Sequence, residues 1–400
     1  MTEMVLFNPF MPGFTDDPYP HYRELRDTAP VHEHPLGFWF LSRHDEVADL
    51  LRAGLSVEQR HLAPHPVRDQ IRAASGDKHL RSGGLSMLDR DPPDHTRLRK
   101  LVTKVFTPRA IGALKPRIQQ LVDESLDRLD GGGDLVAELA FPLPFAVINE
   151  MLGMQLADAD RLRELTGTLV RSLEPIADPA LAEQIMRADL ELAELCRAAI
   201  AAKRADPADD LLTALIRAEE DGDVLDDEEL VAQVILLYVA GHETTVNLIS
   251  NGVVALLGHP EQHAALRAEP GLIGNAVEEF LRYDSPVQSG RRVTTEPITA
   301  GGQEIPAGSF VILGQASANR DERFWGPDAD QLRLDRRDAR LHVSFGAGPH
   351  HCLGAALARM EGQLAIGGLV ARYPKLALAG EVEWNGRINL RGASKVPISV

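Results

Sequence analysis

The sequence predicts a mainly α protein with small, dispersed β-sheets, and three observations carry that prediction. Helical spacing of apolar residues covers most of the chain, strand-like alternation is confined to a few short stretches, and one helical pattern is long enough to cross the molecule. From the N-terminus, helical spacing covers Tyr19 to Arg26, and Phe38-Trp39-Phe40-Leu41 then alternates as a strand. Helical patterns resume at His95 to Phe106, Leu114 to Leu129 and Ala180 to Lys203, with Gly131-Gly132-Gly133 as a turn on the way. The long pattern runs from about Asp227 to Leu257, with Asp226 as N-cap, Glu229 three residues on, and Gly258 and Pro260 as its stop. At 1.5 Å per residue it would reach roughly 45 Å and should be central. A helix over Leu272 to Tyr283, a strand at Phe310 to Leu313, a helix over Leu353 to Tyr373 and an alternating stretch from Leu376 complete the chain. No repeat, low-complexity tract or hinge-like linker divides it, so residues 1–400 read as a single domain.

Composition bounds the function. Four hundred residues at 44% apolar content can bury a sizeable core. The balance of 42 basic against 59 acidic residues gives −17, which disfavours nucleic acid and anionic membrane surfaces as partners. Only Cys196 and Cys352 are present, which excludes a disulfide-stapled scaffold and a four-cysteine metal site, and a reducing cytoplasm is the expected compartment. Met1 to Phe14 has no basic leader before an apolar stretch, so no signal peptide is expected. The apolar run Val231 to Gly241 falls short of the roughly 20 residues a spanning helix needs, so no membrane anchor is expected either.

Cys352 sits in Phe345-Gly-Ala-Gly-Pro-His350-His-Cys352-Leu-Gly354, directly before a helical pattern. Unpaired N–H groups and the positive end of the helix dipole favour a thiolate there. Glycines at 346, 348 and 354 permit positive φ in a tight loop, or leave room for a flat ligand against the backbone. A thiolate facing a large planar ligand suggests haem. Two other readings stay open at this point: a buried inert cysteine, and a nucleophile with His350 or His351 as its base. Cys196, in a helical run without a glycine loop, is assigned to packing.

The loop resembles the haem-ligand signature of the cytochrome P450 family, Phe-Gly-x-Gly-x-His-x-Cys-x-Gly, matched at Phe345, Gly346, Gly348, His350, Cys352 and Gly354. The resemblance implies the cytochrome P450 fold, with a long central helix and haem held between it and the cysteine-loop helix. The long helix carries Ala240-Gly241-His242-Glu243-Thr244-Thr245, similar to the family's oxygen-binding segment. Thr244 can return its hydroxyl to the carbonyl of Ala240, loosening the helix, and Gly241 leaves space over a flat ligand. Glu243 beside Thr244 then offers an acid and a hydroxyl for proton relay in an apolar cavity, although a solvated patch or a helix kink would give the same pattern. Glu279-Phe-Leu-Arg282 resembles the family's buried Glu-x-x-Arg pair; the arginine that usually completes it is replaced by Gln331, leaving Arg333 or Arg336 as substitutes.

The helix near His95 has two basic faces. At about 100° per residue from Arg97, Lys100 and Lys104 fall at about 300° and 340°, whereas Arg99 and His95 flank the apolar stripe at about 200° and 160°. Buried basic groups need anions, and the resemblance supplies haem propionates at the positions matching His95, Arg99, Arg292 and His350. Arg97, Lys100 and Lys104 look outward, as a solvated face or as the landing site of an acidic electron carrier.

The resemblance, closest to bacterial members without an anchor, implies a haem-thiolate monooxygenase and a cytoplasmic, monomeric protein. Its cofactor would be haem b, iron protoporphyrin IX, ligated through Cys352. It would take O2 as co-substrate and electrons from NAD(P)H through ferredoxin reductase and ferredoxin. One oxygen atom would enter a small-molecule substrate by hydroxylation or epoxidation, in secondary-metabolite biosynthesis by analogy. Substrate-pocket positions are Leu237, Ala240, Gly241 and the turn from Val287 and Gln288 to Gly290. The variable stretch from about Leu55 to Leu88 is rich in Arg and His, as a solvated loop or as an entrance for an acidic or carrier-tethered substrate. A peroxide-using or isomerising haem-thiolate enzyme and a non-catalytic haem-binding sensor are the alternatives.

Overall fold

Helices carry most of the chain in the computed structural model, which describes residues 7–75, 84–154, 159–176, 178–220 and 222–400. The chain falls into two units: Met1–His65 with Gln119–Pro142 and Thr244–Val400, and Pro66–Ile118 with Leu143–Glu243.

The first unit holds a four-stranded sheet in the order Val31–His34, Phe38–Leu41, Phe310–Leu313, Gly290–Val293. Its central pair is parallel, with Phe40 opposite Ile312, and both outer strands run antiparallel to their neighbours. Leu41 and Leu313 are buried with Val47, Leu51 and Val311 beneath the helix His44–Arg52. The alternating C-terminus resolves into strands Ala377–Leu378, Glu383–Trp384, Ala393–Lys395 and Pro397–Ser399, of which the last pairs with Gly133–Asp134. Helices Ile273–Tyr283 and Ala355–Arg372 pack against each other. Gly252 and Gly362 let the helix Glu243–Leu257 lie close against the second of these, since a Cβ on Gly252 would lie 3.0 Å from Ile366 and one on Gly362 would lie 3.2 Å from Leu248.

In the second unit the 27-residue helix Pro179–Ala205 is capped by Asp178, whose carboxylate accepts the N–H of Ala180, and buries Ile185, Leu192 and Cys196. It packs on the helix Ala159–Val170. The helix Asp227–Gly241 starts with the expected capping box: Glu229 N–H donates to the Asp226 carboxylate, and Asp226 N–H to that of Glu229. Leu230 through Val239 are then buried on every face.

Two expectations are corrected. The long helix is interrupted at His242: one helix ends at Gly241 and the next, Glu243–Leu257, begins a residue later. Glycine is a weak helix former, and His242 departs to φ −91° and ψ −69° with its ring edge-on to Phe145 at 5.5 Å. The helix near His95 spans Asp94–Thr103 and stops short of Phe106, because Thr107 caps a new helix, Pro108–Ala113, by accepting the N–H of Ala110. Among the described residues no helix is long and apolar enough to cross a membrane.

Candidate active site

The cysteine loop is fixed before it reaches the sulfur. Asn319 receives the N–H of Val343 at 2.8 Å and donates to the hydroxyl of Ser344 at 2.7 Å, while Ser344 donates to the Leu281 carbonyl. The N–H of Cys352 returns to the carbonyl of Phe345 at 2.8 Å, closing the loop on itself. Gly346 and Gly348 take φ of +68° and +67°, and a Cβ on Gly348 would lie 2.6 Å from the Leu51 carbonyl oxygen, so only glycine fits there. Gly354 differs: its φ is ordinary and nothing lies within 4 Å of where its Cβ would stand, so its value is open space. It caps the helix Ala355–Arg372.

The two cysteines have opposite environments. Cys196 is fully buried, and burial pushes its thiol up to about 12, the signature of an inert packing residue. Cys352 is exposed, two residues ahead of a helix N-cap.

Within the helix Asp227–Gly241, Ala240 and Gly241 are exposed after ten consecutive buried residues, Leu230 to Val239. Leu237 is among those buried residues. Glu243 and Thr244 open the next helix and are half-buried, whereas Thr245 onward is buried again. The acid and hydroxyl thus stand where one helix ends and the next begins.

Arg282 donates to both carboxylate oxygens of Glu279 at 2.7 and 2.8 Å, with both side chains wholly buried. Arg336, and not Arg333, supplies the third side chain, its Nε 3.2 Å from the same carboxylate. Arg333 contributes only its backbone N–H, at 2.9 Å, and sends its guanidinium to Asp328 and Asp335. Gln331 serves through its carbonyl oxygen, which accepts from both Arg282 and Arg336. A buried charge cluster so fully bonded meets the condition for tolerating burial.

On the helix Asp94–Thr103, His95 is buried and Arg99 half-buried. Burial, and then the charge of Arg99, lower the His95 pKa, so two basic groups crowd one place. Lys100 and Lys104 are exposed as expected. Arg97 is half-buried and paired with Glu229 and, at 3.3 Å, with Asp223, so it is removed from the outward-facing group. The buried side chain of Gln288 accepts from the Tyr22 hydroxyl at 3.1 Å and donates to the Ser285 carbonyl at 2.7 Å, contacts that brace the turn. Val287 is half-buried and bridges Leu390. Arg292 is buried on its edge strand and donates to the Arg291 carbonyl, and His350 is half-buried in the loop. Part of the basic stretch within Leu55 to Leu88, residues 76–83, lies outside the described residues.

Sequence reasoning missed Glu278, His342 and Arg359. Arg359 donates to both oxygens of Glu278 at 2.6 and 3.0 Å, and His342 is 3.1 Å from the same carboxylate. The acid is legible beside Glu279, but its partners lie 64 and 81 residues away, beyond any local spacing signal.

The cytochrome P450 family model matches residues 180–382. The chain is 42% identical to cytochrome P450 107B1 of Saccharopolyspora erythraea, over 97% of this chain and 96% of that one. It is 43% identical to the vitamin D(3) 25-hydroxylase of Pseudonocardia autotrophica, over 98% and 96%. Among solved structures it superposes on the bacillaene polyketide synthase cytochrome P450 PksS of Bacillus subtilis with a TM-score of 0.86 at 34% identity, covering 98% of this chain and 99% of that one. The chain belongs to the cytochrome P450 family and has its fold. It is a haem-thiolate monooxygenase, a class that uses haem b, O2 and NAD(P)H-derived electrons delivered by redox partners to oxidise small molecules. The peroxide-using, isomerising and sensor readings do not fit these relatives, which include a named hydroxylase.

The donor set fits haem. In the first unit Cys352 offers an accessible soft ligand of the kind that holds haem iron, and Gly354 has open space where a side chain would stand. In the second unit Arg99 lies beside the buried, neutral His95 as a cation that suits a carboxylate group.

Proposed function

We propose that this enzyme hydroxylates a bulky, largely apolar small molecule of polyketide or secosteroid type, in secondary metabolism. The observation that carries the reading is the exposed Cys352 in its glycine loop, seen against the buried Cys196. Cys352 would hold the haem iron through its sulfur, with Phe345, Gly346 and Gly354 shaping its loop and Ala240 and Gly241 giving clearance. His95, Arg99, Arg292 and His350 would hold the propionates. When bound, haem b supplies activation of O2 and insertion of one atom into substrate. Thr244 would hold a proton at its hydroxyl and Glu243 would replenish it, since a helix break admits water that an intact helix excludes. Leu237 contributes an apolar wall. Ferredoxin and ferredoxin reductase are the redox partners, meeting a cationic face reduced to Lys100 and Lys104. The protein acts as a cytoplasmic monomer with residues 1–400 as one catalytic domain.

The substrate class rests on the relatives named for vitamin D(3) and for a polyketide synthase. The test is a titration of the purified ferric enzyme with macrolactones, secosteroids and small terpenes, read as displacement of the haem water in the absorbance spectrum. Macrolactones or secosteroids should shift the spectrum and yield a hydroxylated product with NADPH, ferredoxin and reductase. A shift and product only with small terpenes would refute the proposal.

A further inference from the structure

The loop that presents Cys352 is held by a circuit of side chains that leaves the backbone at Ser344 and returns to it at Phe345. The N–H of Ser344 donates to Nδ1 of His342 at 3.1 Å, so the neutral ring carries its proton on Nε2, which faces the Glu278 carboxylate at 3.1 Å. Glu278 binds the guanidinium of Arg359 through both oxygens. The same guanidinium lies over the ring of Phe345, 4.5 Å from its centroid, and the His342 ring stands 5.5 Å from that of Phe345. Phe345 in turn accepts the N–H of Cys352. Helix Ile273–Tyr283 supplies Glu278 and helix Ala355–Arg372 supplies Arg359, so two packed helices grip the loop from its first aromatic ring.

The electrostatics favour a charged, closed pair. Burial alone would raise the Glu278 carboxyl, yet the bonds from His342 and Arg359 outweigh it and pull it down to about 2. Burial lowers the His342 pKa, so its ring stays neutral. The circuit therefore contains one anion and one cation in balance.

From this circuit we infer that Glu278 and Arg359 are positioning residues for the Cys352 thiolate: together they fix Phe345, and their balanced charges leave the iron potential unbiased. The inference rests on the assignment of Cys352 as haem ligand. A planar, two-pronged cation is required, because it must bind a carboxylate edge-on while lying flat on a ring, which a lysine ammonium does not do.

The experiment uses haem-loaded enzyme and two readouts, the reduced CO spectrum and the equilibrium reduction potential. Arg359→Gln leaves an uncompensated anion and should lower the potential; Glu278→Gln leaves a cation and should raise it. Arg359→Lys keeps the charge, so the potential should stay near that of the parent while a larger fraction of the CO complex loses its thiolate band. Arg372→Gln is the control, since Arg372 pairs with Asp127 and Asp130 at the far end of the same helix and should change neither readout. Equal-signed shifts in the two glutamine variants, or no change in either readout, would overturn the inference while leaving the ligand assignment intact. Absence of a thiolate band in the parent enzyme would instead remove the ligand assignment, and this inference with it.

Discussion

Glu361, in the helix that follows the cysteine loop, is buried with no partner for its Oε2 among the described residues, and burial raises its carboxyl from 4.5 to about 8. The folded protein therefore keeps a proton that the unfolded chain releases between those two values. Stability should fall as pH rises from about 4.5 to 8 and then level off. Glu361→Gln mimics the protonated form, so thermal denaturation across that window should show a flatter profile and a higher Tm at pH 8 than the parent; an unchanged slope would contradict it. At this scale the sequence separates the two cysteines correctly, because a glycine loop before a helix is a local signal. It is silent on Glu361, whose buried carboxyl sits in an ordinary helical pattern, and on Gln288, which only the tertiary contact with Tyr22 claims for bracing.

At the scale of elements, the helix Asp94–Thr103 shows what periodicity can and cannot read. Its angular arithmetic places His95 and Arg99 toward the interior and Lys100 and Lys104 outward, as the structure has them. It places Arg97 outward as well, but the partners Glu229 and Asp223 come from more than a hundred residues away. The consequence is a division of labour between neighbouring cations. Lys100→Glu should slow reduction by ferredoxin severalfold in stopped-flow traces, increasingly so at low salt, with thermal stability unchanged. Arg97→Gln should cost about 1 kcal/mol of stability and leave the reduction rate nearly intact. Equal effects of the two variants on both measurements would refute the division. The same limit applies to the pair Glu279 and Arg282: spacing finds it, but the third partner is Arg336, and Gln331 works through its carbonyl, which no side-chain pattern encodes. The loosening that Ala240 and Thr244 lead one to expect becomes a full break at His242, which capping box and stop signals do not reveal because they mark only the outer ends of a helical run.

For the whole molecule, the class follows from motifs lying in the order of the family along most of the chain, and the relatives match it over nearly its full length. Substrate choice is less legible because it depends on apolar walls such as Leu237, which resemble any buried helix face. The account as a whole depends on sulfur ligation by Cys352. The measurement that tests it most directly is the absorbance spectrum of the reduced CO complex, compared between the parent enzyme and Cys352→His. The parent should show the red-shifted Soret band of a thiolate-ligated haem, and the variant should bind haem with that band replaced by the shorter-wavelength band of nitrogen ligation. A parent lacking the red-shifted band, or a variant retaining it, would contradict the account.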